Sequence, residues 1–147
     1  SPLNSADLHG VFRLHAAALP APARPAIGLT LDQWIAAREE VGGRKEEFVC
    51  ATGNSTLAWL SINRLSHVTI VEAILHPDHP TLADSLVDET ARIISQTLPV
   101  RWIVPSHEPA LSRALQARGW NSHGTYDVFV RTLAQRAQEP TLVPAQA

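Results

Sequence analysis

Residues 68 to 98, VTIVEAILHPDHPTLADSLVDETARIISQTL, constrain the fold more tightly than any other stretch. Val68 to Leu75 is apolar except for Thr69 and Glu72 and is rich in β-branched residues. That suits a strand covered on both faces, at the centre of a mixed sheet. His76-Pro77-Asp78-His79-Pro80 then breaks the chain. Neither strand nor helix crosses it, because each proline lacks an N–H and restricts the residue before it. Thr81 followed by Asp84 reads as a capping pair opening a helix. Leu82, Leu86, Val87, Ile93, Ile94 and Leu98 form its apolar stripe, with Asp88, Glu89 and Arg92 turned away. A strand that delivers a turn onto a helix N-terminus is a common place to hold a phosphate or a carbonyl.

The rest of the chain supplies partners for this unit. Asn4 or Ser5 caps a helix over residues 5 to 19, with Leu8, Val11, Phe12, His15 and Leu19 on one face. His15 on that face reads as a core-edge histidine with a satisfied nitrogen. Pro20, Pro22 and Pro25 end the helix. Thr30 with Gln33 forms a second capping box, and Leu31, Trp34, Ile35, Arg38 and Val41 trace the next helix up to Gly42-Gly43. The period then changes. Phe48 to Thr52 and Ser55 to Ile62, joined by Gly53-Asn54, predict a hairpin with a glycine-first turn. Asn63 to His67 makes a further reversal into the strand at 68 to 75.

Beyond the long helix, Val100 to Val104 predicts a strand parallel to Val68–Leu75, because a helix intervenes. Ser106 or His107 caps a short helix with Pro109 in its first turn. Ala110, Leu111, Ala114 and Leu115 are its inner side, Gly119 stops it, and Trp120 returns to the core. Tyr126 to Leu133 predicts a last strand, and residues 137 to 147 an unstructured tail. The expected fold class is α/β (α+β): a mixed, mostly antiparallel sheet with helices on both faces, as one domain over residues 1 to 136.

Composition excludes several classes of function. With 147 residues, 45% hydrophobic and 18% charged, the chain can bury a core without staples. A net charge of −2 gives no electrostatic case for nucleic acid or an anionic membrane. No apolar stretch approaches the ~20 residues of a membrane span. The single cysteine, Cys50, excludes an internal disulfide and fits a reducing, cytoplasmic setting. A start at Ser-Pro-Leu without any methionine suggests processing, or a portion of something longer.

The order helix, helix, three antiparallel strands, helix, strand, helix, strand resembles the GNAT superfamily of N-acetyltransferases. The residues carrying the resemblance are Leu75-His76-Pro77, which ends a strand before the long helix, and PALSRALQARGW with its closing Gly119-Trp120. The resemblance implies acyl-CoA-dependent N-acyl transfer, with a small-molecule or peptide amine attacking the thioester directly. It implies acetyl-CoA as co-substrate, its pantetheine along Ile74, Leu75 and His76 and its pyrophosphate near Thr81, Leu82, Ala83 and Ser85. The pyrophosphate loop departs from the family pattern, however. It reads Asp78-His79-Pro80-Thr81-Leu82-Ala83-Asp84-Ser85, without the glycines that let backbone N–H groups close on phosphate oxygens. Binding is therefore expected to be weak. Leu115 stands where many members carry a tyrosine that protonates the leaving thiolate, and the family's initial strand finds no room before the first helix.

Glu72 is the candidate base: a carboxylate within a strand apolar on both sides should be buried, with a raised pKa. The competing reading pairs it with an arginine on a neighbouring strand. Tyr126 is the candidate replacement acid, or else a core ring with its hydroxyl at the surface. His76, Asp78 and His79 read as a solvated loop and not as metal ligands, and no metal is expected. Cys50 reads as a buried small hydrophobe, and nothing sharpens His107 or His123. Two other functions fit the departures from the family. One is a non-catalytic GNAT-like domain that binds a ligand or partner. The other is one half of a tandem pair, so that a homodimer or a companion GNAT domain is an expected partner.

Overall fold

The computed structural model describes residues 1–20, 30–36, 38, 43–94 and 97–125. The first helix is entered through a one-turn 3-10 segment, Ser5–Asp7, capped by the predicted residue. The Asn4 side-chain oxygen accepts the Ala6 N–H at 2.8 Å, and the Asp7 carboxylate accepts the Asn4 N–H at 3.0 Å. Helix α1 then runs Leu8–Ala18 and buries Val11 and Leu14. Helix α2, Leu31–Ala36, opens on the expected box, Thr30 N–H to Gln33 at 3.0 Å and Gln33 N–H to Thr30 at 3.2 Å. Val41 and Gly42 lie outside the described residues.

The hairpin is longer than its sequence signal. Strand β1 is Arg44–Thr52 and strand β2 is Ser55–Arg64. Gly53 at the turn has φ +59° and Asn54 has no positive φ, which is the glycine-first geometry. Strand β3, Thr69–Leu75, pairs antiparallel with β2, from Ala58 opposite Leu75 to Arg64 opposite Thr69. Helix α3 is Leu82–Ile93. Strand β4, Val100–Ile103, pairs parallel with β3, as the intervening helix requires. Helix α4 is Pro109–Ala117, with the proline at its start and Gly119 after its end at φ +83°. The sheet order is β1-β2-β3-β4.

Register separates the side chains onto two faces. Leu60, Ile62, Val71, Ala73 and Leu75 share one face and pack on Ala83, Val87, Leu111, Ala114 and Leu115 of α3 and α4. Val49, Trp59 and Ile74 share the other and pack on Val11 and Leu14 of α1, with Trp34 of α2 alongside. Helices therefore lie on both faces.

Several expectations are corrected. Strand β3 alternates, with Thr69, Val71, Ala73 and Leu75 buried and Glu72 exposed, because α1 covers its own face only toward Ile74. The α3 stripe is centred on Ala83, Val87 and Thr90 instead of Leu82 and Leu86, which lie at its flank. Thr81 makes no side-chain cap, since its backbone already has helical angles. At α4 the cap position falls on Glu108, not Ser106 or His107, and its side chain makes no cap bond. Ahead of the first helix, Ser1–Leu3 lies antiparallel along β1. The Leu3 N–H reaches Glu47 O at 2.9 Å, and the Val49 N–H reaches Ser1 O at 2.8 Å. A short strand-like segment thus precedes the first helix after all. The predicted strand from Tyr126 to Leu133 and the tail lie outside the described residues.

Candidate functional site

Strands β3 and β4 stay together for four residues and then part. Their ladder ends at Glu72 opposite Ile103. The next residues of the β4 side are Val104 and Pro105, and proline has no N–H with which to extend a ladder. The chain turns there instead, with the Glu108 N–H bonded to Pro105 O at 3.0 Å, and enters α4. Ala73 to Leu75 of β3 are left with no β4 partner in the ladder.

Backbone direction shows what this leaves open. The His76 N–H points to β2, bonding Leu57 O at 2.8 Å, and the Thr69 N–H points the other way, to Pro99 O at 2.8 Å. Because N–H directions alternate along a strand, Leu75 faces the gap. Glu108, the residue immediately before α4, is electrostatically coupled to it. Only 8% of Glu108 is exposed. Burial pushes its carboxyl up from the usual range, and the Leu75 N–H works against that shift. Glu108 is a site residue that sequence reasoning missed. Its one signal was a lone glutamate immediately before Pro109 in an otherwise apolar helix start.

The other end of the gap is the α3 N-terminus. Two N–H groups that would face an anion there are already bonded, Leu82 to His79 O and Ala83 to Pro80 O, both at 3.2 Å. Proline-fixed turns in His76–Pro80 bring those carbonyls round, and the Asp78 N–H closes on His76 Nδ1 at 3.2 Å. Asp84 does not cap the helix. It accepts from Arg118 at 2.7 Å, while Asp88 takes the same guanidinium at 2.6 and 3.0 Å. The paired carboxylates hold Arg118 above its ordinary pKa, and Arg118 holds Asp88 below the usual carboxylate range.

The predicted site residues are therefore partly brought together. Ile74, Leu75 and His76 border the gap, with the Leu75 side chain in the core and those of Ile74 and His76 half-buried. Thr81 and Ser85 are exposed, Leu82 is half-buried and Ala83 is buried, so Ala83 can offer a ligand only its backbone. Glu72 sits at the apex of the split but is exposed, and the burial on which its selection rested is absent. Tyr126 lies outside the described residues. Cys50 is exposed on β1 and not buried as expected, because its side chain is on the α3/α4 face of an edge strand, beyond the part that those helices cover. His107 and His123 are exposed. Among the described residues no group of three His, Cys, Asp or Glu side chains is close enough to hold a metal.

A second polar cluster lies on the α1 face. Glu47 accepts from Trp59 Nε1 at 3.1 Å and pairs with Arg38 and Lys45. His15 lies between Trp34 and Trp59, ring centroids 5.3 and 5.2 Å away, and its Nε2 is buried without a hydrogen-bond partner among the described residues. Burial, then Arg38 and Lys45, lowers its pKa to about 4.

A parallel strand pair that divides beside the N-terminus of the helix between its members, on an otherwise antiparallel sheet, decides the architecture. The fold is GNAT-like. The GNAT-like arrangement is shared with a transcriptional regulator from Bacillus halodurans C-125, at 13% identity, TM-score 0.56, and coverage of 88% of this chain and 96% of that one. An aminoglycoside N-acetyltransferase, AAC(6')-Iy, solved in complex with CoA, matches at 13% identity and TM-score 0.53, covering 90% and 93%. A possible acetyltransferase from Clostridium difficile 630 matches at 9% identity and TM-score 0.55, covering 92% and 97%. No family model matches the sequence, and no curated protein matches it as a relative. At such identities the likeness extends to the GNAT-like fold alone. No described helix is long and apolar enough to cross a membrane.

Proposed function

We propose that this chain is an acyl-CoA-dependent N-acyltransferase that transfers an acetyl group to an amine. The observation that carries the reading is the parting of β3 from β4 after Glu72 and Ile103. An extended pantetheine arm adds to a free strand edge as a further strand would, and the edge at Ile74, Leu75 and His76 supplies that role. The thioester then lies at the apex, near Glu72, and the diphosphate near Thr81, Leu82, Ala83 and Ser85.

In this reading Glu72 acts through water to take the proton of the attacking amine, which must be neutral to attack. Its place at the apex now supports that role, in place of burial. The amine nitrogen bonds to the acyl carbon, the carbon–sulfur bond breaks, and the thiolate is protonated by Tyr126 or by solvent. The fit is better at the strand edge than at the helix N-terminus, where Leu82 and Ala83 have bonded their N–H groups.

That mismatch favours a second reading, a GNAT-like domain that binds a ligand or partner without catalysis. Thermal melting with and without acetyl-CoA, followed by thiol release with a panel of amines, separates the two. A ligand at one hundred times its Kd stabilises a fold by about 2.7 kcal/mol. Stabilisation with thiol release supports the transferase, and stabilisation without turnover supports the binding domain. No stabilisation at millimolar acetyl-CoA overturns the transferase reading.

A further inference from the structure

We propose that the acceptor of this chain is an amino acid with an apolar side chain, its ammonium group meeting Glu72 and its carboxylate meeting Arg101. This rests on the acyltransferase reading above and adds to it the class of the acceptor.

Register puts both charges on one face of the sheet. Glu72 stands opposite Ile103 and Ile70 opposite Arg101, so all four side chains lie on the side that carries α1. The alternate residues, Val71, Val100 and Trp102, turn toward α3 and α4. Helix α1 packs on Val49, Trp59 and Ile74, and beyond that contact Glu72, Arg101 and Ile103 are exposed, Ile103 at 52%. The other carboxylate in the row of Glu72 is Glu47, and it is engaged by Arg38, Lys45 and Trp59. Among the described residues neither Glu72 nor Arg101 forms an ion pair, with each other or with any other group.

An unpaired acid and an unpaired base on adjacent rows match a molecule with the opposite charges a few bonds apart. Neighbouring strands lie about 4.8 Å apart and two residues advance about 6.6 Å, which sets the two positions roughly 8 Å apart. A glutamate and an arginine can close on a zwitterion across that span. Direction decides which charge takes which end. The split opens from Ala73 toward His76, so the thioester arrives at Glu72 from that side, and Arg101 lies on the other. The amine therefore stands at the apex, and the carboxylate is held away from the acyl carbon by a guanidinium whose fork matches it. Ile70 and Ile103 offer apolar contact to the body of the acceptor. The nitrogen bonds to the acyl carbon as the carbon–sulfur bond breaks. Of the ammonium's two surplus protons, one passes through Glu72 to water and the other reaches the thiolate, leaving an N-acyl amino acid and a free thiol.

The test measures thiol release from acetyl-CoA with leucine, leucine methyl ester and isoamylamine, on the full chain and on Arg101→Ala and Arg101→Lys. The ester and the amine lack the carboxylate charge and bracket leucine in basicity, so nucleophile strength alone cannot favour leucine over both. The full chain should prefer leucine by about tenfold in kcat/KM, the size of one charge-assisted hydrogen bond. Arg101→Ala should lose most of that preference, through KM, and Arg101→Lys should keep part of it. Arg101 is exposed on a strand, so both variants should fold. A full chain that uses the ester or isoamylamine as well as leucine would overturn this inference and leave the acyltransferase reading intact. An unchanged preference in Arg101→Ala would overturn it in the same way. No thiol release with any amine would overturn the acyltransferase reading, and this inference with it.

Discussion

Arg118, just past the end of α4, donates to Asp84 at 2.7 Å and so ties the two helices that cover one face of the sheet. The same guanidinium grips both oxygens of Asp88 and the carbonyl of Ala114 at 3.1 Å. Bidentate geometry of this kind holds better than a single exposed ion pair. Arg118→Ala should lower the melting temperature, while Arg118→Lys, which cannot fork, should recover only part of the loss. Asp88 is held below the usual carboxylate range, so its contribution is present above the unfolded carboxylate pKa and is lost as pH falls through the folded value. The native chain should therefore lose its advantage over Arg118→Ala in strongly acidic solution, as read by melting curves.

The Arg118 contact also modifies what Asp84 does to an anion at the α3 N-terminus. An unpaired carboxylate at that position would repel a pyrophosphate. In the fold it is neutralised in part by Arg118. Replacing Asp84 by glycine should still tighten CoA binding, by less than a bare carboxylate would imply, and at a cost in stability. Calorimetry beside a melting curve checks both. Unchanged affinity in a folded Asp84→Gly chain would remove the pyrophosphate from this helix end.

His15 should make the protein sensitive to mild acid. Its pKa falls from 6.5 unfolded to about 4 folded, so the unfolded chain binds the proton more readily. Stability is then full above pH 6.5 and declines as pH drops toward 4, by at most about 1.4 kcal/mol per pH unit. Protonation would set a charge between Trp34 and Trp59, facing Arg38 and Lys45, with Glu47 already engaged by those two cations. Urea unfolding of His15→Phe across this range should lack that decline.

Gly10 brings α1 close to Thr56 of the hairpin. A Cβ at this position would lie 2.2 Å from Thr56 Oγ1. Gly10→Ala should destabilise the native chain, although alanine is better than glycine in a helix by roughly 0.5–1 kcal/mol. With Thr56→Ala the same change should become stabilising. A double-mutant cycle by chemical denaturation measures that reversal of sign.

Leu111 is fully buried between α4 and the sheet. Leu111→Ala should cost about 2–5 kcal/mol through lost transfer free energy and the cavity left behind. Denaturant midpoints with an unchanged slope would confirm the mechanism.

What the sequence determined by itself was local. The two N-terminal caps, the Gly53 turn and the stop at Gly119 follow from hydrogen bonds and dihedral angles within a few residues, and the parallel return at Val100 follows from the helix that intervenes. The period of apolar residues gave the fold class for the same reason. Glu72 lay beyond such reasoning, because an apolar run does not say how far a helix on the other face reaches. Asp84 was misread as a capping partner of Thr81 because its actual partner, Arg118, is 34 residues away. The burial of Glu108 was invisible, since it depends on how the start of α4 packs in the fold. Tertiary structure decided the site because it is made where β3 and β4 part. The groups that meet in that gap are distant in sequence and are joined by packing, not by any local pattern.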